Sequence, residues 1–172
     1  NIILDRKTSY KKWDYSHYAT PVQTANTYAL SPNTLPNRIY EWVPTVNSAY
    51  GTYGNWINPL GAMTIGKGYA ITAPNNFSAT TAQEFTATFT GVPNNGIVSL
   101  PMQRGDFDGA DYLNSLNNIY VSKWDDNYNL IGNPYPSAIS ANEFLIHNNG
   151  VIQGHLDLWI NSGLSSLNAD PF

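Results

Sequence analysis

The chain has 172 residues, 42% hydrophobic and 13% aromatic, and its charged share of 12% is about half that of an ordinary soluble domain. That length makes one ordinary domain or two small ones at most, and the aromatic content argues against a disordered chain. A net charge of -4 argues against a binder of nucleic acids or anionic membrane surfaces, which needs a basic stripe, and the lack of cysteine excludes disulfides, thiol nucleophiles, zinc ribbons and iron–sulfur clusters.

Eleven prolines and thirteen glycines leave few stretches that could hold a long helix. Ile2-Ile3-Leu4 is a short apolar opening, and Trp13, Tyr15, His17 and Tyr18 suit cross-strand aromatic pairing on one strand. Arg38 to Val43 reads as a half-buried strand closed by Pro44, and Gly68 to Ala73 as another stopped by Pro74. The clearest alternation is Glu84 to Thr90, with Phe85, Ala87 and Phe89 on one face and threonines on the other. Asn95-Gly96 then signals a hairpin, with Ile97 to Leu100 returning as the partner strand.

Beyond Pro101 the chain is acidic and irregular until a strand at Ile119 to Val121. Tyr128 to Gly132 is a further strand entering the Asn133-Pro134-Tyr135-Pro136 turn. Ser140 with Glu143 three residues on is a capping box, which predicts one short helix from Ser140 to His147, ended by Asn149-Gly150. His155 to Ile160 alternates again as a strand, and a polar tail follows from Asn161. Together these predict a mainly β domain over residues 1–172, an antiparallel β-sandwich of Ig-like or jelly-roll-like type with one short helix. No run reaches the ~18 apolar residues of a transmembrane helix, so no membrane insertion is expected.

Two clusters carry candidate chemistry. In Asp106-Phe107-Asp108-Gly109-Ala110-Asp111, carboxylates spaced around a Gly turn can converge on Ca²⁺ with carbonyls completing the shell. Asp106, Asp108 and Asp111 are the candidate ligands, joined by Asp125, Asp126 and Asn127 if the two segments meet. The alternative is an exposed Asp-Gly turn whose carboxylates are hydrated. The second cluster is aromatic: Trp42, Tyr50, Tyr53 and Trp56 flank a Gly-rich segment. Exposed rings among Asn residues suit glycans, because the rings stack on sugar C–H faces while amides bond the hydroxyls; the alternative buries the tryptophans on paired strands. Tyr135 between two prolines is either a ligand-facing ring on a stiff loop or a corner packed inward. For catalysis the inventory is thin. His17, His147 and His155 lie in separate segments without metal-ligand spacing, no Gly-x-Ser-x-Gly elbow occurs, and Glu41 and Glu84 read as solvent-facing strand residues.

Several segments resemble a module of large secreted surface proteins of Bacteroidota exported by type IX secretion. The resemblance runs through Trp13 to Val22, Ser31-Pro32, Gly66 to Tyr69 with Ala73-Pro74, and Phe89 to Gly96. Its most specific part is Asn129-Leu130-Ile131-Gly132-Asn133-Pro134-Tyr135-Pro136-Ser137-Ala138-Ile139. It implies secretion and an extracellular or cell-surface place, and brings no catalytic residues. The expectation is a non-catalytic module for adhesion or glycan binding; the alternatives are a structural spacer or a polysaccharide-active enzyme domain. The family pattern continues past Leu158-Trp159, so the chain is expected to be a partial module. Such a module would offer an open strand edge, beside Glu84 to Thr90 or His155 to Ile160, to neighbouring domains or chains.

Overall fold

The computed structural model describes residues 1–47, 53–115, 118–152 and 156–158. The protein is mainly β, with every named strand pair antiparallel. The first strand, β1 (Ile2–Tyr10), is much longer than its apolar opening suggests, and pairs residue for residue with Gln83–Gly91. Between them come β2 (Tyr15–Tyr18), a single helical turn α1 (Thr27–Leu30), β3 (Ile39–Val43), β4 (Asn55–Ile57) and β5 (Tyr69–Thr72). Gln83–Gly91 is β6; β7 (Tyr112–Asn114) and β8 (Ile119–Val121) form a small hairpin, and α2 (Ala141–His147) follows. Strands β2, β5, β3 and β4 lie side by side in that order as one sheet, while β1 and β6 form a separate ribbon.

The two layers face each other across one core. Leu4, Phe85, Ala87 and Phe89 from the ribbon meet Tyr18, Tyr69, Ile39 and Ile71 from the four-stranded sheet, with Val22, Leu30 and Met63 filling the margin. The predicted alternation of β6 thus holds: Ala87 and Phe89 are buried, whereas Thr88 and Thr90 are exposed. In the sheet, Tyr18 lies opposite Tyr69 and Ile71 opposite Ile39, so alternate residues of β2, β5 and β3 are committed to the core. The remaining residues of those strands must point outward, which is what creates the site described below.

Three local expectations are corrected. Asn95-Gly96 does turn, with Gly96 at φ 77°, but Ile97 to Leu100 forms no strand and Ile97 is 96% exposed. After Gly91 the backbone turns to the Pro21–Gln23 segment, where Gln23 N–H donates to Val92 O and Asn94 N–H to Pro21 O. A nine-residue ladder with β1 outweighs a local turn signal. Of the strand expected at Tyr128 to Gly132, only a bridge from Ile131 to Lys67 forms. Glu41 does not face solvent freely: it lies on the inward-pointing side of β3, 2.5 Å from the Lys67 ammonium, with its side chain 18% exposed. Glu84 is exposed as expected and pairs with Lys7.

The single predicted helix is α2, and Ser140 caps it by accepting from Glu143 N–H at 3.2 Å. Of the expected strand His155 to Ile160, only 156–158 is described and it is not a strand; the rest, with the polar tail, lies outside the described residues. Among the described residues, no helix is long and apolar enough to cross a membrane.

Candidate functional site

The outward face of the four-stranded sheet is aromatic. Side chains directly opposite one another on paired strands share a face, and the register places His17, Ala70 and Tyr40 in one row, Tyr15 with Thr72 in the next, and Trp42 opposite Trp56. Ala70 is the small residue in the middle of this face. Over it, rings from strands that are not neighbours come together: His17 of β2 lies 6.4 Å from Trp56 of β4, and Tyr15 lies 6.1 Å from Tyr40. Trp42 and Trp56 meet edge to face at 5.4 Å, a favoured geometry for paired rings. The result is a continuous aromatic layer on the side of the sheet away from the core.

Most of this layer is half-buried by its own packing, and Trp56 is the open ring at 43% exposure. Its supports are specific. The Trp42 indole N–H donates to Tyr128 O at 2.8 Å, and the Tyr40 hydroxyl to Asn37 O at 2.7 Å. Gly54, at φ 70°, lies directly against the Trp42 ring, where a Cβ would overlap it. Burial pushes the His17 imidazole down to about 4, so it is neutral at pH 7 and the row it joins is uncharged. A fixed aromatic surface can stack on apolar C–H faces.

The structure divides the residues singled out from the sequence. Trp42 and Trp56 come together as expected. Tyr53 is adjacent in the chain to Gly54, but its ring stacks on Phe107 at 3.8 Å and 12°. Tyr50 lies outside the described residues. Tyr135 is tied into its own corner: its hydroxyl donates to Gly96 O at 2.7 Å, its N–H to Asn133 Oδ1 at 3.0 Å, and Asn133 Nδ2 donates to Ser137 O. Asn94, buried, donates to both Thr20 O and Pro134 O, so the Pro-Tyr-Pro corner is stapled to two other loops. Tyr135 is thus held by the contacts of this corner.

Asp106, Asp108 and Asp111 are not gathered into one ligand set. Asp106 is exposed, and Asp108 pairs with the Arg104 guanidinium. Asp111 accepts from Lys123 N–H at 2.9 Å and the Tyr120 hydroxyl at 3.0 Å, which hold its carboxyl below the usual range. Among the described residues, no three His, Asp or Glu side chains converge as a metal centre. The acidic segments do meet, however, through Asp126, which is 1% exposed. Its Oδ2 accepts from Phe107 N–H at 2.8 Å and its carbonyl from Gly105 N–H at 2.9 Å.

Sequence reasoning missed Tyr15, His17 and Tyr40 as members of the aromatic face. Their alternation was visible, but which of their strand neighbours faced the core was not. Fold and site together define a small antiparallel β domain with an aromatic outer sheet face. The chain belongs to DUF8693, a domain family of unknown function that it matches over residues 1–172. No curated protein and no solved structure matches it.

Proposed function

We propose that this domain is a non-catalytic extracellular binding module that holds a glycan on the aromatic face of its four-stranded sheet. The observation that carries the reading is the aromatic layer itself: Trp56, Trp42, His17, Tyr40 and Tyr15 lie on the side away from the core, with Trp56 43% exposed. A fold needs no second aromatic layer on its solvent side, and large rings left at a surface mark recognition sites more often than chance. The neutral His17 imidazole among the rings suits an uncharged polysaccharide, whose C–H faces stack on rings. The Asn-rich, Lys-poor composition and the resemblance to secreted surface modules support an extracellular place.

Affinity electrophoresis in neutral polysaccharides, with wild type and Trp56→Ala side by side, tests the reading. Retardation of the wild type by at least one neutral glucan, mannan or xylan, lost in Trp56→Ala, is the expected result. Retardation equal in both proteins would move the site elsewhere, and none across the panel would leave the face without this role. A second reading, docking of a neighbouring strand, is favoured by one feature. The β1–β6 ribbon is nine residues long, and among the described residues no further strand pairs with either of its outer edges.

A further inference from the structure

Asn95-Gly96 is a turn that the fold leaves without its hairpin. Because β6 pairs with β1, residues 97–100 form no strand, and no ladder braces the far side of the turn. The near side is fixed: Asn94 is buried, its N–H donates to Pro21 O, and its side-chain amide donates to Thr20 O and Pro134 O. Asn95 and Gly96 themselves are exposed. Gly96 N–H donates to Asn95 Oδ1 at 2.9 Å, and among the described residues no backbone acceptor competes for it. Asn95 Cγ, one bond from that oxygen, is thereby held beside the Gly96 nitrogen. Nothing lies within 4 Å of the place a Gly96 Cβ would take, so no neighbour obstructs a ring closing there. The chain's other such pair, Asn149-Gly150, is placed differently. Its turn is closed by Val151 N–H on Asn148 O at 3.0 Å, and among the described residues Gly150 N–H makes no bond to the Asn149 side chain.

We infer that Asn95 is a site of spontaneous modification, closing on Gly96 as a succinimide that water opens to aspartate and isoaspartate, and that the isoaspartate form releases the Pro134-Tyr135-Pro136 corner. The Gly96 nitrogen gives its proton to hydroxide, and its electron pair forms a bond to Asn95 Cγ. The bond from Cγ to Nδ2 breaks, and that nitrogen takes a proton from water and leaves as ammonia. Glycine suits the step, because it has no side chain to crowd the nitrogen and its backbone turns freely. Water then adds to one of the two imide carbonyls. Addition at Cγ restores the ordinary chain with an aspartate; addition at the backbone carbonyl sends the chain through the side chain as isoaspartate. Both products put a new negative charge on the exposed turn. Only the second inserts a methylene into the main chain, directly before the residue whose carbonyl accepts the Tyr135 hydroxyl at 2.7 Å. That bond ties the turn to the Pro-Tyr-Pro corner, and the longer chain moves its acceptor away. The step needs no co-reactant but water, and it does not rest on the glycan reading of the aromatic face.

The test ages the whole chain in mildly alkaline heavy-oxygen water at body temperature, with peptide mass spectrometry over several weeks and electron-transfer fragmentation to tell aspartate from isoaspartate. In wild type, the Asn95 peptide exchanges its amide for an acid carrying solvent oxygen, with isoaspartate among the products. Gly96→Ala converts several-fold more slowly, and Asn95→Gln, whose longer side chain cannot close the same ring, shows no gain at this position. No conversion at Asn95 in wild type, or conversion as fast in Gly96→Ala, overturns the site. For the corner, the aged fraction enriched in isoaspartate is collected by anion exchange and melted. It melts about 3 °C below unaged protein, the loss of one hydrogen bond in a domain of this size, whereas Asn95→Asp melts with the unaged wild type. Tyr135→Phe lacks the bond from the start, so its ageing brings no further drop. An isoaspartate fraction that melts with unaged protein, or an equal drop in Tyr135→Phe, overturns the link to the corner.

Discussion

Gly54 is the most exacting place to test how the aromatic face is built. It sits at φ 70°, in the left-handed region, with the Trp42 ring directly against its Cα. Alanine there meets two costs. The left-handed backbone with a Cβ costs about 1 kcal/mol. The Cβ also displaces the Trp42 ring, which loses its 2.8 Å hydrogen bond to Tyr128 O, about 1 kcal/mol, and its edge-to-face contact with Trp56, about 1 kcal/mol. The sum is about 3 kcal/mol, or about 9 °C in melting temperature for a domain of this size. Gly96 is the matched control, because it has nearly the same φ, 77°, and open space where its Cβ would lie. Gly96→Ala should therefore cost the backbone part only, about 1 kcal/mol and about 3 °C. Urea denaturation of the two variants, with near-UV circular dichroism of the tryptophans, makes the comparison. Equal losses at both glycines, or an unchanged tryptophan spectrum in Gly54→Ala, would refute the claim that Gly54 seats Trp42.

His17 makes the stability pH-dependent in a defined direction. Its folded value near 4 lies below the unfolded value near 6.5, so the unfolded chain takes up the proton first. Its contribution is complete above pH 6.5, falls as the pH drops toward 4, and is constant below that; His17→Gln should flatten this part of the melting-temperature profile, and an unaltered slope would show that His17 is not the group responsible. Asn94→Ala strips two buried carbonyls, Thr20 O and Pro134 O, of their donor and should cost about 2–4 kcal/mol in urea denaturation. A loss under 1 kcal/mol would mean that the corner holds without its staple.

What could be read from the sequence was local. The alternation of Phe85, Ala87 and Phe89 with threonines fixed one strand and its core face, because a period of two can serve only a half-buried strand. Ser140 and Glu143 likewise marked α2, since an N-cap acts on the next turn of the chain alone. Pairing was decided by the tertiary structure. Asn95-Gly96 turns as its chemistry demands, yet β6 takes its partner from residues 2–10, because nine paired residues outweigh the four that a local hairpin would pair. The site followed the same division. Trp42 and Trp56 stood out by type, but that they share a face with His17, Tyr40 and Tyr15 depends on the strand order β2-β5-β3-β4 and on small Ala70 beneath the rings. In the acidic loop, proximity in sequence lined up Asp106, Asp108 and Asp111, while burial, which only the folded chain confers, fell on Asp126.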